Sequence, residues 1–135
     1  MPARDRYHDT VKCALVKDGW TIVDEQVYLS DNVRHVWVDL SISRNESETL
    51  ILIEIKGFER TASPVEALMA ALGQYAVYQA MLEYLAMNNA LYLAIPVAAY
   101  QGIFQAPVAQ QSMKNLGVKL IVFDPETEEI VSWLH

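Results

Sequence analysis

The chain has 135 residues, enough for one domain around one substantial core. Hydrophobic residues make up 53% and the formal net charge is −7, which excludes a free-standing nucleic-acid binder held by a broad basic surface. The single cysteine, Cys13, excludes an internal disulfide and a cysteine zinc site, and suits a reducing cytoplasm.

Tyr7, Val11, Ala14 and Leu15 recur at helical spacing and Gly19 follows as a stop, so residues 5–18 are expected to be a helix. Asp5, His8, Asp9 and Lys12 form one polar stripe on it, the usual mark of a solvated face. Before it, residues 1–5 lack the apolar core of a signal peptide. Residues 20–29 read as a first strand, and Ser30-Asp31-Asn32 as a turn. The second strand carries Val36, Val38 and Leu40 on one face, with Trp37 and Asp39 on the other. A polar hairpin tip at 44–48 leads to a third strand through Lys56, with Glu54 and Lys56 pointing one way and Ile51, Ile53 and Ile55 the other.

After a polar loop at 57–62, Ser63-Pro64-Val65-Glu66 is a helix start: serine N-cap, proline in the first turn, glutamate three residues on. The helix it opens is apolar on almost every side and is expected to be buried on most faces, with Asn88-Asn89 closing it. Glu66, Gln74, Gln79 and Glu83 interrupt it, so it is not a membrane span. Residues 90–95 read as a short buried strand, 98–104 as a helical turn, and 106–116 as a short helix stopped by Gly117. Strands at 118–123 and 130–134 flank an acidic turn at 124–129. This order predicts a single α/β domain, residues 1–135, with a mixed central sheet and helices on both faces.

Charged residues inside an Ile/Leu strand are costly unless they are paired or bind a metal. If the second and third strands pair, Asp39, Glu54 and Lys56 meet on one side of an apolar sheet. Two carboxylates there make a hard-cation site for Mg2+ or Mn2+. A neighbouring lysine can orient water or neutralise charge developing on a phosphate. The bland alternative is a structural Glu–Lys pair at a sheet edge. His35 and His135 read as surface or edge residues, and Tyr100, Phe104 and Trp133 as core or interface. The apolar excess implies either a well-filled core or a face buried in a homo-oligomer or hetero-complex.

Asp39 followed by Glu54-Ile55-Lys56 resembles the core motif of the PD-(D/E)XK nuclease superfamily, and the element order resembles a restriction-endonuclease-like fold. Gln74 and Tyr78 match the Gln-x-x-x-Tyr pattern of RecB-type members. His8 and Asp9 stand near the place where related resolvases carry an acidic metal ligand, usually glutamate. Across the chain, Arg4-Asp5-Arg6-Tyr7-His8-Asp9, Lys17-Asp18-Gly19-Trp20, the Asp39 strand, Ile53-Glu54-Ile55-Lys56, Ala71-Leu72-Gly73-Gln74-Tyr75 and Leu91-Tyr92-Leu93-Ala94-Ile95-Pro96 look like the XisH family, the cyanobacterial fdxN element excision controlling factors. That resemblance implies a role in excising a DNA element, and a companion protein, XisI.

The superfamily likeness implies metal-dependent phosphodiester hydrolysis. Asp39, Glu54 and the Ile55 carbonyl would hold the cation, with His8 or Asp9 as a further ligand. Lys56 would position or activate water, Gln74 would orient Lys56 or touch a phosphate, and Tyr78 would support that shell. The ten basic residues are scattered against seventeen acidic ones, so DNA affinity would come from metal, a partner or a local patch of Arg4, Arg6, Arg34 and Arg60. The alternative is a non-catalytic regulatory subunit that keeps the nuclease fold.

Overall fold

The run Leu91–Pro96 (β4) is buried along its whole length. A strand with no polar face must be covered on both sides. It lies at the centre of a six-stranded sheet of order β1-β2-β3-β4-β5-β6. The other strands are β1 (Thr21–Ser30), β2 (His35–Ser43), β3 (Ile51–Ile55), β5 (Leu120–Asp124) and β6 (Glu129–Leu134). β3, β4 and β5 are parallel, and β1, β2 and β6 add antiparallel edges. The computed structural model describes residues 6–45, 49–58 and 63–135. Asp5, the expected tip residues Glu46, Ser47 and Glu48, most of the 57–62 loop, and Arg4 and Arg60 lie outside the described residues.

Parallel strands need crossovers, and helices supply them. Between β3 and β4 runs α2 (Pro64–Tyr84), and between β4 and β5 run α3 (Val97–Gln101), a 3-10 turn (Ile103–Gln105) and α4 (Pro107–Leu116). These cover one face, where Leu68, Leu72, Leu82 and Phe104 pack on Leu52, Leu91, Leu93 and Val122. The first helix, α1 (His8–Lys17), covers the other, with Val11 and Leu15 on Leu40, Ile53, Ile55 and Phe123. The mixed α/β architecture with helices on both faces is therefore as the sequence predicts. No helix among the described residues is long and apolar enough to cross a membrane.

Local signals act where expected. The Ser63 hydroxyl accepts the Glu66 N–H at 3.3 Å, capping α2 with Pro64 in its first turn. Gly117 ends α4 in the left-handed conformation, φ 63°. The end of α2 differs: the helix stops at Tyr84, before Asn88, and Ala86 takes the left-handed position at φ 56°. Tyr75 braces α2 on the sheet, donating to the Leu91 carbonyl at 2.9 Å and accepting the Lys119 N–H at 3.3 Å. At the end of α1, Asp18 Oδ2 accepts the indole N–H groups of Trp20 and Trp133, each at 3.2 Å. The Arg44 guanidinium lies 4.2 Å from the centre of the Trp20 ring.

Two expectations are corrected. The first is strict alternation along β2. Val36 and Val38 pack with α2, whereas Leu40 and Ile42 pack with α1. The face changes at Asp39. Register sets Glu25 against Leu40 and Val27 against Val38, so Gln26 faces Asp39. Gln26 has a left-handed φ of 58°, which turns β1, and paired β2 turns with it. The second is the burial of α2. Val65, Met69, Val77 and Tyr84 are exposed, so the apolar helix leaves one greasy stripe in solvent.

Candidate active site

The turn at Gln26 and Asp39 builds the site. β2 and β3 pair regularly only from Ile42↔Ile51 to Leu40↔Ile53. Beyond that, side chains replace the ladder. Glu54 Oε1 accepts the Asp39 N–H at 3.3 Å, and Asp39 Oδ2 accepts the Ile55 N–H at 2.8 Å. Both carboxyl groups are buried, at 6% and 5% exposure. Lys56 follows at the end of β3, its Nζ 4.0 Å from Glu54 Oε2, a long ion pair with the ammonium partly in solvent. The convergence of Asp39, Glu54 and Lys56 is thus present in the fold.

Burial of two carboxyls side by side costs ionisation. Burial, and then the Asp39 charge, push Glu54 up to about 9, against the weaker pull of Lys56. Burial also raises Asp39, opposed by the Ile55 N–H, Glu54, His8 and Lys56. The two carboxyls titrate as a coupled pair, in which burial and the neighbouring Asp39 charge favour the protonated form of Glu54. Burial raises the Tyr78 hydroxyl too, with Glu54 and Asp39 adding to it.

From α2, Gln74 and Tyr78 reach the same region. The Tyr78 hydroxyl donates to the Trp37 carbonyl at 3.2 Å, fixing the β2 arm beside the carboxyls. Gln74 Oε1 is buried with no hydrogen-bond partner among the described residues. Lys56, Gln74 and Tyr78 line one open cleft of about 710 Å3, walled by Trp37, Val36, Met69 and Val77. Another cleft, about 650 Å3, lies at the far end of α2 and contains none of these residues.

The first-helix candidates separate. Asp9 is exposed, whereas His8 is 2% exposed, so the polar stripe is not a wholly solvated face. His8 Nε2 meets Glu25 Oε1 at 2.8 Å, and Lys12 reaches the other oxygen at 3.0 Å. His8 Nδ1 is buried without a partner among the described residues. Arg6 stacks on Tyr7 beside α1, and Arg34 sits in the turn between β1 and β2.

The donor set suits a hard cation. Two convergent carboxyls carry a charge conflict that a proton or a metal relieves, and Ile55 lies past the last β2–β3 pair. Among the described residues, no group of three or more His, Cys, Asp or Glu side chains is placed to hold a metal. A cation there would keep several waters, the habit of Mg2+.

Sequence reasoning missed Gln26. Both its amide nitrogen and oxygen are buried and unpartnered among the described residues, directly across from Asp39. Polar Asp24-Glu25-Gln26 inside a strand was the available signal, since it breaks the apolar alternation.

The family model described as XisH protein matches residues 1–131. The chain belongs to the XisH family. An XisH family protein from Nostoc punctiforme PCC 73102 is 31% identical over 97% of this chain and 100% of its own, with a TM-score of 0.88. The fdxN element excision controlling factor protein from Anabaena variabilis is also 31% identical, over 98% of this chain and 100% of its own, with a TM-score of 0.88. No curated protein matches the chain.

Proposed function

We propose that this XisH protein is a metal-dependent phosphodiesterase of the PD-(D/E)XK type that serves the excision of a DNA element. The observation that carries the reading is the Asp39–Glu54 pair at the point where β2 leaves β3, with Lys56 next on the strand. The name of the Anabaena variabilis relative supports the excision role.

Asp39, Glu54 and the Ile55 carbonyl would hold Mg2+ or Mn2+. The ion supplies charge neutralisation at the phosphate and a more acidic water. Lys56, partly solvated at the mouth of the cleft, orients the attacking water and offsets charge on the phosphate. Gln74 Oε1, without a partner among the described residues, can accept from Lys56, and the amide N–H groups can donate to a phosphate oxygen. Tyr78 holds the β2 arm through the Trp37 carbonyl. His8, buried and tied to Glu25, is the inward-turned first-helix candidate.

Two observations favour a second reading, a non-catalytic control subunit. The net charge is −7, and an apolar stripe of Val65, Met69, Val77 and Tyr84 is exposed on α2. A homo-oligomer or a companion of the XisI kind would cover such a stripe. The deciding experiment is a nuclease assay in Mg2+ and Mn2+, with and without the companion, beside Lys56→Ala. Cleavage by the wild type that Lys56→Ala abolishes supports the enzyme. No cleavage under any of these conditions supports the control subunit.

A further inference from the structure

The cleft beside Lys56 is unlike a groove for duplex DNA. Lys56 is the one lysine or arginine among its described lining residues, with His35 the only other basic group. The rest of the wall is Trp37, Val36, Met69, Ala70, Gly73, Val77 and Tyr78, interrupted by Gln74. Beyond its rim the aromatic surface continues. The Tyr28 ring, 54% exposed, lies 4.9 Å from Trp37 and 5.5 Å from His35. This ladder stands on the arm of β1 and β2 that turns at Gln26 and Asp39, so it is carried by the element that carries a site carboxylate.

We propose that the cleft seats an unpaired nucleotide, with its base against Trp37 and the next base on Tyr28, which makes single-stranded or locally unpaired nucleic acid the substrate. The inference rests on the phosphodiesterase reading for its reaction.

A nucleotide matches every feature of the cleft at once. Its base presents a flat face to the aromatic wall. Its exocyclic and ring N–H groups can donate to Gln74 Oε1, which turns toward them without breaking a hydrogen bond, since it has none among the described residues. Its phosphate meets Lys56. An apolar protein segment would match the walls alone and would bury the ammonium and the amide without partners, a costly outcome. A duplex keeps its bases stacked inside and is held through rows of cations. A chain of net charge −7 lacks such rows, whereas stacking needs no charge. The volume of about 710 Å3 is of the size that holds a small ligand.

The test is fluorescence anisotropy with the full chain in EDTA, using a labelled 12-nucleotide single strand and the same sequence as a blunt duplex. The single strand is expected to bind at least tenfold tighter. Trp37→Ala should weaken it roughly ten- to a hundredfold, as loss of a stacking aromatic does. Trp37→Phe should restore most of the affinity and serves as the folded control. Equal or tighter binding of duplex, or wild-type binding by both Trp37→Ala and Tyr28→Ala, overturns the proposal. Undiminished cutting of a duplex by Trp37→Ala in Mg2+ also overturns it and leaves the phosphodiesterase reading intact. Trp37-dependent binding of the single strand without cleavage in Mg2+ or Mn2+ keeps the nucleotide site and removes the enzyme. No binding of either probe, with the purified companion captured through Trp37 and Met69, overturns the proposal and gives the cleft to a protein partner.

Discussion

Asp39 and Glu54 each bind the other's strand: Glu54 Oε1 takes the Asp39 N–H at 3.3 Å, and Asp39 Oδ2 takes the Ile55 N–H at 2.8 Å. Two carboxyls thereby hold together the place where two strands part. That brings them close enough to couple, and the coupling is measurable.

The first prediction concerns pH. Glu54 in the folded protein is pushed up to about 9, above the unfolded carboxyl value of about 4.3. A group raised in this way stabilises fully below its unfolded value and loses that contribution as pH rises through its folded value. The metal-free protein should therefore melt at lower temperature as pH climbs from about 5 to about 9. Glu54→Gln should flatten this slope and melt higher than the wild type at pH 8. Calorimetry across the range checks both, and a wild-type slope equal to that of the variant removes the claim.

A divalent ion should act oppositely. Binding only to the folded site at a hundred times its dissociation constant adds about 2.7 kcal/mol. The gain should grow with pH, because the ion competes with the proton on Glu54. In Glu54→Gln it should vanish. An unmoved wild-type melt in both Mg2+ and Mn2+ would end the metal proposal.

Lys56→Ala should leave the fold intact, since the ammonium is partly solvated and its ion pair is 4.0 Å long. Its effect should fall on cleavage, with a loss of about 10²–10³, the usual size for removing a group that stabilises transition-state charge. Parallel melting curves and rates in Mn2+ separate the two.

Tyr75→Phe should destabilise by about 1–3 kcal/mol, because it orphans the buried Leu91 carbonyl and removes the acceptor of the part-buried Lys119 N–H. Urea denaturation reads this directly.

Gln26→Gly should do the reverse, stabilising by up to about 1 kcal/mol. Glycine takes φ 58° without the left-handed penalty, and the buried unpartnered amide disappears. Gln26→Val should destabilise at the same position. If glycine costs stability instead, the left-handed backbone and the unpartnered amide of Gln26 are not a net strain on the fold.

Most of the fold was legible because its signals are local. Ser63 and Pro64 start α2, Gly117 ends α4, and an unbroken apolar run makes β4. The carboxylate–lysine site was legible because three charges in apolar strands demand compensation. What was hidden depends on one backbone angle. Nothing in the letters around Gln26 announces a positive φ, so the change of face at Asp39, and with it the outward aromatic ladder, could not be read from period-two alternation. The exposed side of α2 was hidden for a different reason. A helix apolar all round has no polar stripe to mark its solvent face.

The placement of the three tryptophans has an optical consequence. Trp20 and Trp133 lie 5.3 Å apart and share one carboxylate at the end of α1. Two indoles so close couple their excited states, so the near-ultraviolet circular dichroism of the protein should be dominated by this pair and should follow global unfolding. Trp37 has no ring contact with either among the described residues; it lines the cleft, 4.9 Å from Tyr28. Its emission should be the component that an occupant of the cleft quenches. One unlabelled sample therefore reports folding in one spectrum and occupancy in another, each from its own chromophore.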